Sequence, residues 1–320
     1  MADDDAARAT PPDRGWSHAR AQQDTATEEL VDVHWHRPLA YWLLLRPWEH
    51  ARWRPSPTQY TLGGGALGVL AAVVALAAPD SSPLWLLAAL LLFVAYLLDC
   101  GGELLARLTG RSSGRRALLD GMIDFAVGVS FWLAMSLRTA PAAWGAWAVP
   151  AALAIVLSVL VHTGLHDHLK LRFAVLTRPP PPPRAVAEAP EGSSPPPLGL
   201  WARVVEGFFR FAQGFYELTY TNISRALVGV VPGSPRPDVD PRVARQLLVG
   251  PMRMVSLLGL GTHMALVYVA TALAVFDVRL PFYVALVAVV GALNLWAALA
   301  VLAWRRGERI LAEVARHDRG

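Results

Sequence analysis

The sequence contains little cysteine, little lysine and few charges of either sign. Cys100 is the only cysteine among 320 residues, which excludes a disulfide framework and a thiolate zinc site. Lys170 is the only lysine, so guanidinium groups carry almost all of the positive charge. Charged residues make up 17% of the chain and hydrophobic residues 54%, whereas soluble domains average about 25% and about 45–50%. The composition therefore argues against a soluble enzyme and favours a protein embedded in a bilayer.

The first 33 residues differ from the rest of the chain in charge. They contain eight acidic residues, three arginines and no periodic apolar pattern, which predicts a disordered acidic tail. They lack the basic start and apolar core of a signal peptide. Residues 34–50 then combine tryptophan, leucine and arginine. We expect them to form a helix on the membrane surface that is broken at Pro38 and Pro47.

Six stretches with little or no charge are long enough to cross a bilayer, which requires about 20 largely apolar residues. They lie at residues 60–78, 83–107, 118–137, 138–167, 253–277 and 279–305. The predicted fold is an all-α integral membrane protein with six transmembrane helices and a juxtamembrane surface helix. We expect this membrane domain to occupy residues 34–312.

The arginines indicate how these helices are oriented, because cytoplasmic connections carry an excess of positive charge. The connections at residues 79–83, 138–142 and 277–281 hold only Arg138 and Arg279, whereas the opposite side holds many more. Both termini are therefore expected in the cytoplasm, with a basic tail at residues 313–320. The cytoplasmic connection 167–250 is expected to contain a proline-rich linker, residues 179–197, and an amphipathic helix on the leaflet.

Four carboxylates fall close together in the predicted membrane domain. Asp99 and Glu103 lie near the end of the second helix, and Asp120 and Asp124 near the start of the third. The i, i+4 spacing of each pair places both side chains on one helical face. Four acids repel one another unless cations neutralise them, and oxygen ligands suit Mg²⁺ or Mn²⁺. The sequence therefore predicts that these four residues bind a divalent metal ion.

Two other interpretations of the acids remain open. They can pair at the interface with the arginines of the connecting loop, which are Arg107, Arg111, Arg115 and Arg116. They can also belong to a small transporter that uses buried carboxylates as a cation or proton path. A transporter places such groups near the bilayer midplane, whereas these lie at one edge of the predicted helices.

The stretch from residue 99 to 124 resembles a known signature. It reads DCGGELLAR, eight further residues, and then RALLDGMID. This is similar to the CDP-alcohol phosphatidyltransferase family, which carries D-x-x-D-G-x-x-A-R, eight residues, then G-x-x-x-D-x-x-x-D. Every spacing is kept, and five signature residues match: Asp99, Ala106, Arg107, Asp120 and Asp124. Residues 56–62 also resemble the start of the family's first helix.

The chain departs from that signature at three positions. Gly102 replaces the second aspartate, Glu103 replaces the glycine that follows it, and Arg116 replaces the later glycine. Glu103 supplies a carboxylate one position later with a longer reach, and Gly102 leaves room for that side chain or for substrate. If this compensation fails, the alternative is a catalytically silent scaffold of the same fold.

The resemblance implies an enzyme of phospholipid synthesis in the cytoplasmic membrane, with its active site facing the cytoplasm. It implies transfer of a phospho-alcohol group from a CDP-alcohol, such as CDP-diacylglycerol, to an alcohol acceptor with release of CMP. Asp124 is the expected general base. Arg107 and Arg111 are expected to contact phosphate, and Gly102 and Ala106 to lie beside the nucleotide. Membrane lipid and a second copy in a homodimer are the expected partners, and nucleic acid is not.

Two further patterns allow more than one interpretation. His162, His166 and His168 fit either a metal site or the end of a helix at the membrane interface. The run of three glycines at residues 63–65 permits either close helix packing or approach of the backbone to a nucleotide, and packing is the expected role.

Overall fold

The protein is described here by a computed structural model. The described residues are 17, 24–49, 51, 55–110, 114–178, 206–207, 210–211, 213–214, 217, 222–229 and 239–317, without the side chains of 114–118, 223 and 224. Regular structure in these residues is entirely helical, as the sequence predicts. The proline-rich linker at 179–197 and Arg111 lie outside them, as does most of the predicted acidic tail and amphipathic helix.

The described chain begins with an N-terminal helical segment and continues through nine helices. The segment consists of π-helical turns at Asp32–His36 and Tyr41–Leu45, the α-helical turn Arg37–Ala40 between them, and the 3-10 turn Arg46–Trp48. The helices are α1 (Pro57–Ala77), α2 (Leu84–Thr109), α3 (Gly114–Trp144), α4 (Ala148–Thr177), α5 (Asn222–Val228), α6 (Pro241–Val255), α7 (Leu260–Leu273), α8 (Leu280–Ala285) and α9 (Asn294–His317). A π-helical stretch, Leu286–Leu293, joins α8 to α9.

Local sequence explains where these helices start and stop. Ser56 and Gln59 form a capping box at the start of α1, and Pro57 occupies the first turn, where its missing N–H costs nothing. Gly110 ends α2 with a φ of 68°, a conformation that favours glycine. Gly145, with a φ of 54°, separates α3 from α4 through the short 3-10 turn Gly145–Trp147.

Five helical stretches of the described chain are long and apolar enough to cross a membrane: Pro57–Ala77, Leu84–Thr109, Leu119–Thr177, Pro241–Leu273 and Leu280–His317. The third has 59 residues, or roughly 88 Å of helix, and contains both α3 and α4. The sequence predicts two spans in this region, because the charged residue Arg138 interrupts the apolar run. The chain thus has the helices of a membrane protein.

The chain divides into two compact units. Unit 1 comprises Met1–Val149 and Met264–Phe282, and unit 2 comprises Pro150–His263 and Tyr283–Gly320. In unit 1, α1 packs against α2 and α3. In unit 2, α6 packs against α9, where Gly307 leaves room for the side chain of Leu248.

Close packing in unit 1 depends on the small residues of α1. A Cβ atom on Gly64 would lie 2.8 Å from the carbonyl oxygen of Ala95, and one on Gly65 would lie 2.8 Å from the side chain of Ile123. Gly68 similarly faces Val127. These glycines let the backbone of α1 approach α2 and α3 more closely than any other residue type would allow. The glycine run therefore serves helix packing, as expected.

The N-terminal helical segment packs on α2 in unit 1. Of the predicted tail, residues 17 and 24–33 are described, and residues 30–33 are helical. Residues 26–29 are buried, as is Asp32. Glu28 pairs with Arg37 and Arg107, and Asp32 accepts a hydrogen bond from Tyr96. The backbone also stays helical through Pro38 instead of breaking there. Pro38 lies in the first turn of the α-helical stretch Arg37–Ala40, between the two π-helical turns. Trp35 and Trp42 remain exposed, as a surface helix requires.

Candidate functional site

The structure brings together the carboxylates that the sequence singles out. Asp99 on α2 interacts electrostatically with Asp124 and Asp120 on α3, and with Glu103 one turn away on its own helix. This proximity follows from the packing of both helices on the glycine face of α1, where Gly64 lies against the backbone of Asp99. Asp99 and Asp120 thus both lie beside α1, on the two helices that pack against it.

Asp99 is a carboxylate that lacks a hydrogen-bond donor, among the described residues, at one of its oxygens. Its Oδ1 atom is buried, and no donor among the described residues reaches it. A buried carboxylate oxygen without a donor destabilises a protein, particularly beside other negative charges. Such a group persists where function requires it. Asp99 Oδ1 is therefore a buried acceptor that the described residues leave unsatisfied.

Asp120 is held in position by α1. Thr61, which is buried in α1, donates a hydrogen bond from its Oγ1 to Asp120 Oδ1 at 2.5 Å. The second oxygen within reach of that hydroxyl, the Pro57 carbonyl, lies farther away at 3.3 Å. A hydroxyl has one proton, and the charged acceptor at the shorter distance is the stronger one. Sequence analysis gave Thr61 no role beyond its place in residues 56–62.

Glu103 has different partners from the three aspartates. One of its oxygens accepts a hydrogen bond from Arg37 Nη2 at 2.8 Å, and the other accepts one from Arg107. Glu28 joins the same two arginines from the other side, at 2.5 Å from Arg37 Nη1 and 3.1 Å from Arg107 Nη1. These four residues form a closed ring of alternating charge, which we call the Arg37–Arg107 network.

The Arg37–Arg107 network bears on the alternative in which arginines of the connecting loop pair with the acids. Arg107 does pair, with Glu103 and Glu28, but Arg111 and the side chains of Arg115 and Arg116 lie outside the described residues. Arg37 was missed by sequence analysis because it lies in the surface segment, 66 residues from Glu103. The only hint of this pairing in the sequence was that an acidic stretch is followed by an arginine.

Arg37 keeps its charge despite its burial. Burial alone lowers the pKa of this guanidinium, but Glu103, Glu28 and Asp32 outweigh that effect, and the pKa lies above the ordinary value. The side chain is only 5% exposed. A permanent buried cation thus links the N-terminal helical segment to α2 at every pH at which the protein is folded.

A second polar cluster extends inward from Asp32, and sequence analysis missed it as well. His36 Nδ1 lies 2.8 Å from Asp32 Oδ1, and His36 Nε2 lies 3.1 Å from the hydroxyl of Tyr268. Tyr96 of α2 donates to the same carboxylate at 3.1 Å. Asp32 also interacts electrostatically with Asp99, so the two polar clusters are neighbours.

The remaining predicted residues have plainer positions. Gly102 and Ala106 are buried in α2, one residue before and three residues after Glu103. His162, His166 and His168 are all buried in α4 of unit 2. Within the described part of the chain, no group of three or more histidine, cysteine, aspartate or glutamate side chains is already arranged around a common metal position.

Comparison with known proteins adds no relative: no family model, curated protein or solved structure matches this chain. The fold and the site therefore define the class. This is an all-helical protein with helices suited to crossing a membrane and a carboxylate cluster where α1, α2 and α3 meet.

Proposed function

We propose that this protein is a metal-dependent transferase of phospholipid synthesis. It moves a phospho-alcohol group from a CDP-alcohol, such as CDP-diacylglycerol, to an acceptor hydroxyl and releases CMP. The observation that carries the proposal is the meeting of Asp99, Asp120 and Asp124, at the spacing of the CDP-alcohol phosphatidyltransferase signature, with Asp99 Oδ1 lacking a donor among the described residues.

The donor set fits a hard divalent cation. Asp99, Asp120 and Asp124 offer only oxygen atoms, which suits Mg²⁺ or Mn²⁺, and the buried Oδ1 of Asp99 needs a positive partner. We assign metal binding to these three aspartates, with Glu103 as a fourth ligand if it leaves its arginines. When bound, the cation would neutralise these carboxylates and the pyrophosphate of the nucleotide.

Asp124 is the proposed base for the acceptor hydroxyl. It lies one helical turn farther into α3 than Asp120, and it is half-buried. Thr61 engages Asp120, so the two aspartates of α3 differ in their surroundings. In this proposal Asp124 holds the proton that the acceptor hydroxyl loses as it attacks phosphorus.

Arg107 is the proposed phosphate-binding residue, supported by Arg111. Its guanidinium is directed by Glu28 and Glu103, and a phosphate can displace one of these carboxylates because each contributes only a single oxygen to Arg107. In this proposal the nucleotide lies beside Gly102 and Ala106, the small buried residues of α2 next to Glu103.

The proposed arrangement in the membrane uses six crossings, with α3 and α4 as two of them. Both termini lie in the cytoplasm, on the side where the arginines are concentrated, and the carboxylate cluster faces the cytoplasm of the inner membrane. There a lipid substrate and a polar substrate can meet. A homodimer is the proposed assembly.

A catalytically silent scaffold of the same fold is the second candidate. It is favoured by Gly102 in place of an aspartate and by the Arg37–Arg107 network, in which Glu103 and Arg107 already satisfy each other. In such a scaffold the carboxylates would bind nucleotide or metal without turnover.

The test is CMP release by the detergent-purified chain with Mg²⁺ or Mn²⁺ and a panel of CDP-alcohols and acceptors. Asp124→Asn and Glu103→Gln are compared with Asp80→Asn, a matched control because Asp80 is exposed and pairs with Arg138 outside the cluster. We expect metal-dependent release that falls at least about 100-fold in Asp124→Asn, as loss of a general base predicts, and is unchanged in the control. Equal loss in Glu103→Gln would make it a metal ligand, whereas partial loss at unchanged metal dependence assigns it to the network. No release from any pair of substrates would contradict the transferase.

A further inference from the structure

Unit 2 contains a series of buried hydrogen bonds that the proposed reaction does not use. His162 of α4 lies between His263 of α7 and Asn294 at the start of α9. His162 Nδ1 is 3.1 Å from His263 Nε2, and His162 Nε2 is 2.9 Å from Asn294 Oδ1. Neither histidine is exposed. Three helices therefore meet at one polar contact within an apolar interior.

The backbone determines which atoms at the two ends of the series carry protons. His263 Nδ1 lies 2.8 Å from the carbonyl oxygen of Gly259, which can only accept, so this nitrogen must be an N–H. Asn294 Nδ2 donates to the carbonyl oxygen of Val290 at 3.0 Å and to Ser158 Oγ at 2.9 Å. Because a carbonyl cannot donate, the amide nitrogen must face Val290, and the amide oxygen must face His162.

The π-helical stretch before α9 explains why the carbonyl of Val290 is available. In a regular α-helix the backbone N–H of Asn294 would donate to that carbonyl. Here it donates to Gly291 instead, and the side-chain amide of Asn294 takes its place at Val290. The carbonyl of Val290 thus holds the Asn294 amide in a single orientation.

A count of protons shows that two neutral imidazoles cannot satisfy the series. Three hydrogen bonds run from Gly259 through His263 and His162 to Asn294, and both ends are acceptors, so three protons are needed. Two neutral imidazole rings provide only two. With two protons, both would occupy the outer bonds, and two lone pairs would face each other across the 3.1 Å contact. A third proton makes that contact a hydrogen bond.

We propose that His162 and His263 form a proton-binding site, in which one additional proton from water is shared between His162 Nδ1 and His263 Nε2. The loaded pair carries one positive charge, and no covalent bond between heavy atoms forms or breaks. The proton joins α4 to α7, while Asn294 holds α9 to the same pair. This site is independent of the carboxylate cluster and of the proposed transferase reaction.

The surroundings contain one other titratable group that acts on the pair. His166, one turn along α4, interacts electrostatically with His263 and lies 3.3 Å from the carboxylate of Asp167. Asn294 and Ser158, contributed by α9 and α4, are neutral. Among the described residues, no carboxylate forms an ion pair with His162 or His263. The pair therefore gains its charge by proton uptake, and the bond between α4 and α7 depends on pH.

The decisive measurement is nitrogen NMR of the full chain in detergent with ¹⁵N-labelled histidine. Ring-nitrogen shifts distinguish an N–H from a lone pair, and spectra of His162→Gln and His263→Gln assign the signals. As the pH falls from 8 to about 3, we expect both rings to titrate together at one midpoint, with three N–H groups among four nitrogens in the loaded state. Two N–H groups at every pH, or two separate midpoints, would overturn the proposal.

Two substitutions at the Asn294 amide test the proton count. Asn294→Leu removes the acceptor that requires a proton on His162 Nε2, and we expect the midpoint to fall by about one pH unit. Ser158→Ala is the matched control, because Val290 still fixes the amide, and it should leave the midpoint in place. An unchanged midpoint in Asn294→Leu, or an equal shift in Ser158→Ala, would also overturn the proposal.

Discussion

Arg37 of the N-terminal helical segment donates a hydrogen bond to Glu103 of α2 at 2.8 Å, and the same guanidinium donates to Glu28 at 2.5 Å. The cation thus connects residues that precede the surface segment to the helix that carries Asp99. The N-terminal helical segment is therefore part of the carboxylate site.

Removal of Arg37 should destabilise the protein. Arg37→Met leaves the carboxylate of Glu28 buried with one cation fewer, and the loss of one partner from a buried ion pair costs about 3–5 kcal/mol. We expect the free energy of unfolding in detergent to fall by that amount. Arg46→Gln is the control, because the Arg46 side chain is 48% exposed and its pair with Glu49 should contribute less than about 1 kcal/mol. Equal losses in the two variants would mean that the network does not stabilise unit 1.

Substitution of two adjacent glycines in α1, Gly63 and Gly64, tests how closely the helices of unit 1 pack. Gly64→Ala places a Cβ 2.8 Å from the backbone oxygen of Ala95, which cannot move aside, and we expect a loss of about 1–3 kcal/mol. Gly63→Ala meets only Leu98 at 3.7 Å, an ordinary contact, and should be neutral or slightly stabilising because alanine favours helix. Thermal unfolding of both variants measures the difference. A Gly64→Ala protein as stable as Gly63→Ala would contradict the close approach of α1 and α2.

Sequence analysis could predict the helices and the carboxylate cluster because both depend on local patterns. Apolar runs reveal a helix that can cross a membrane, and i, i+4 spacing places Asp120 and Asp124 on one face. It could not predict the partners of Glu103, because Arg37 is 66 residues away and the acidic segment before it has no periodic pattern. The His162–His263 contact, across 101 residues, likewise depends on tertiary packing alone.

Thr61 provides a test of the aspartates that does not remove a carboxylate. Thr61→Val keeps the shape of the side chain but removes the proton donated to Asp120, a charge-assisted bond that contributes about 1.5–3 kcal/mol. If Asp120 binds metal, we expect the Mg²⁺ concentration for half-maximal CMP release to change by about tenfold or more. Thr61→Ser restores the hydroxyl and should restore the original Mg²⁺ dependence. Equal Mg²⁺ dependence in the unsubstituted chain, Thr61→Val and Thr61→Ser would mean that neither Thr61 nor Asp120 contributes to metal binding.

Replacement of Asp99 by an uncharged residue should stabilise the protein in the absence of metal. Asp99→Asn replaces a buried carboxyl group whose Oδ1 has no donor among the described residues and whose ionisation is opposed by Asp124 and Asp120. Without metal, we expect the free energy of unfolding to rise by about 1 kcal/mol or more. The control Asp80→Asn, at an exposed pair with Arg138, should change it little.

Metal should reverse that order of stability. A cation that binds only the folded protein stabilises it, so Mg²⁺ or Mn²⁺ should raise the Tm of the unsubstituted chain and of Asp80→Asn, but not that of Asp99→Asn. The measurement requires no turnover, so it also applies to a silent scaffold that binds metal. If Asp99→Asn is destabilised without metal, the carboxylate has a structural partner and the cluster is not a metal site. If it is stabilised and insensitive to metal, the charge of Asp99 reduces stability and is retained for ligand binding.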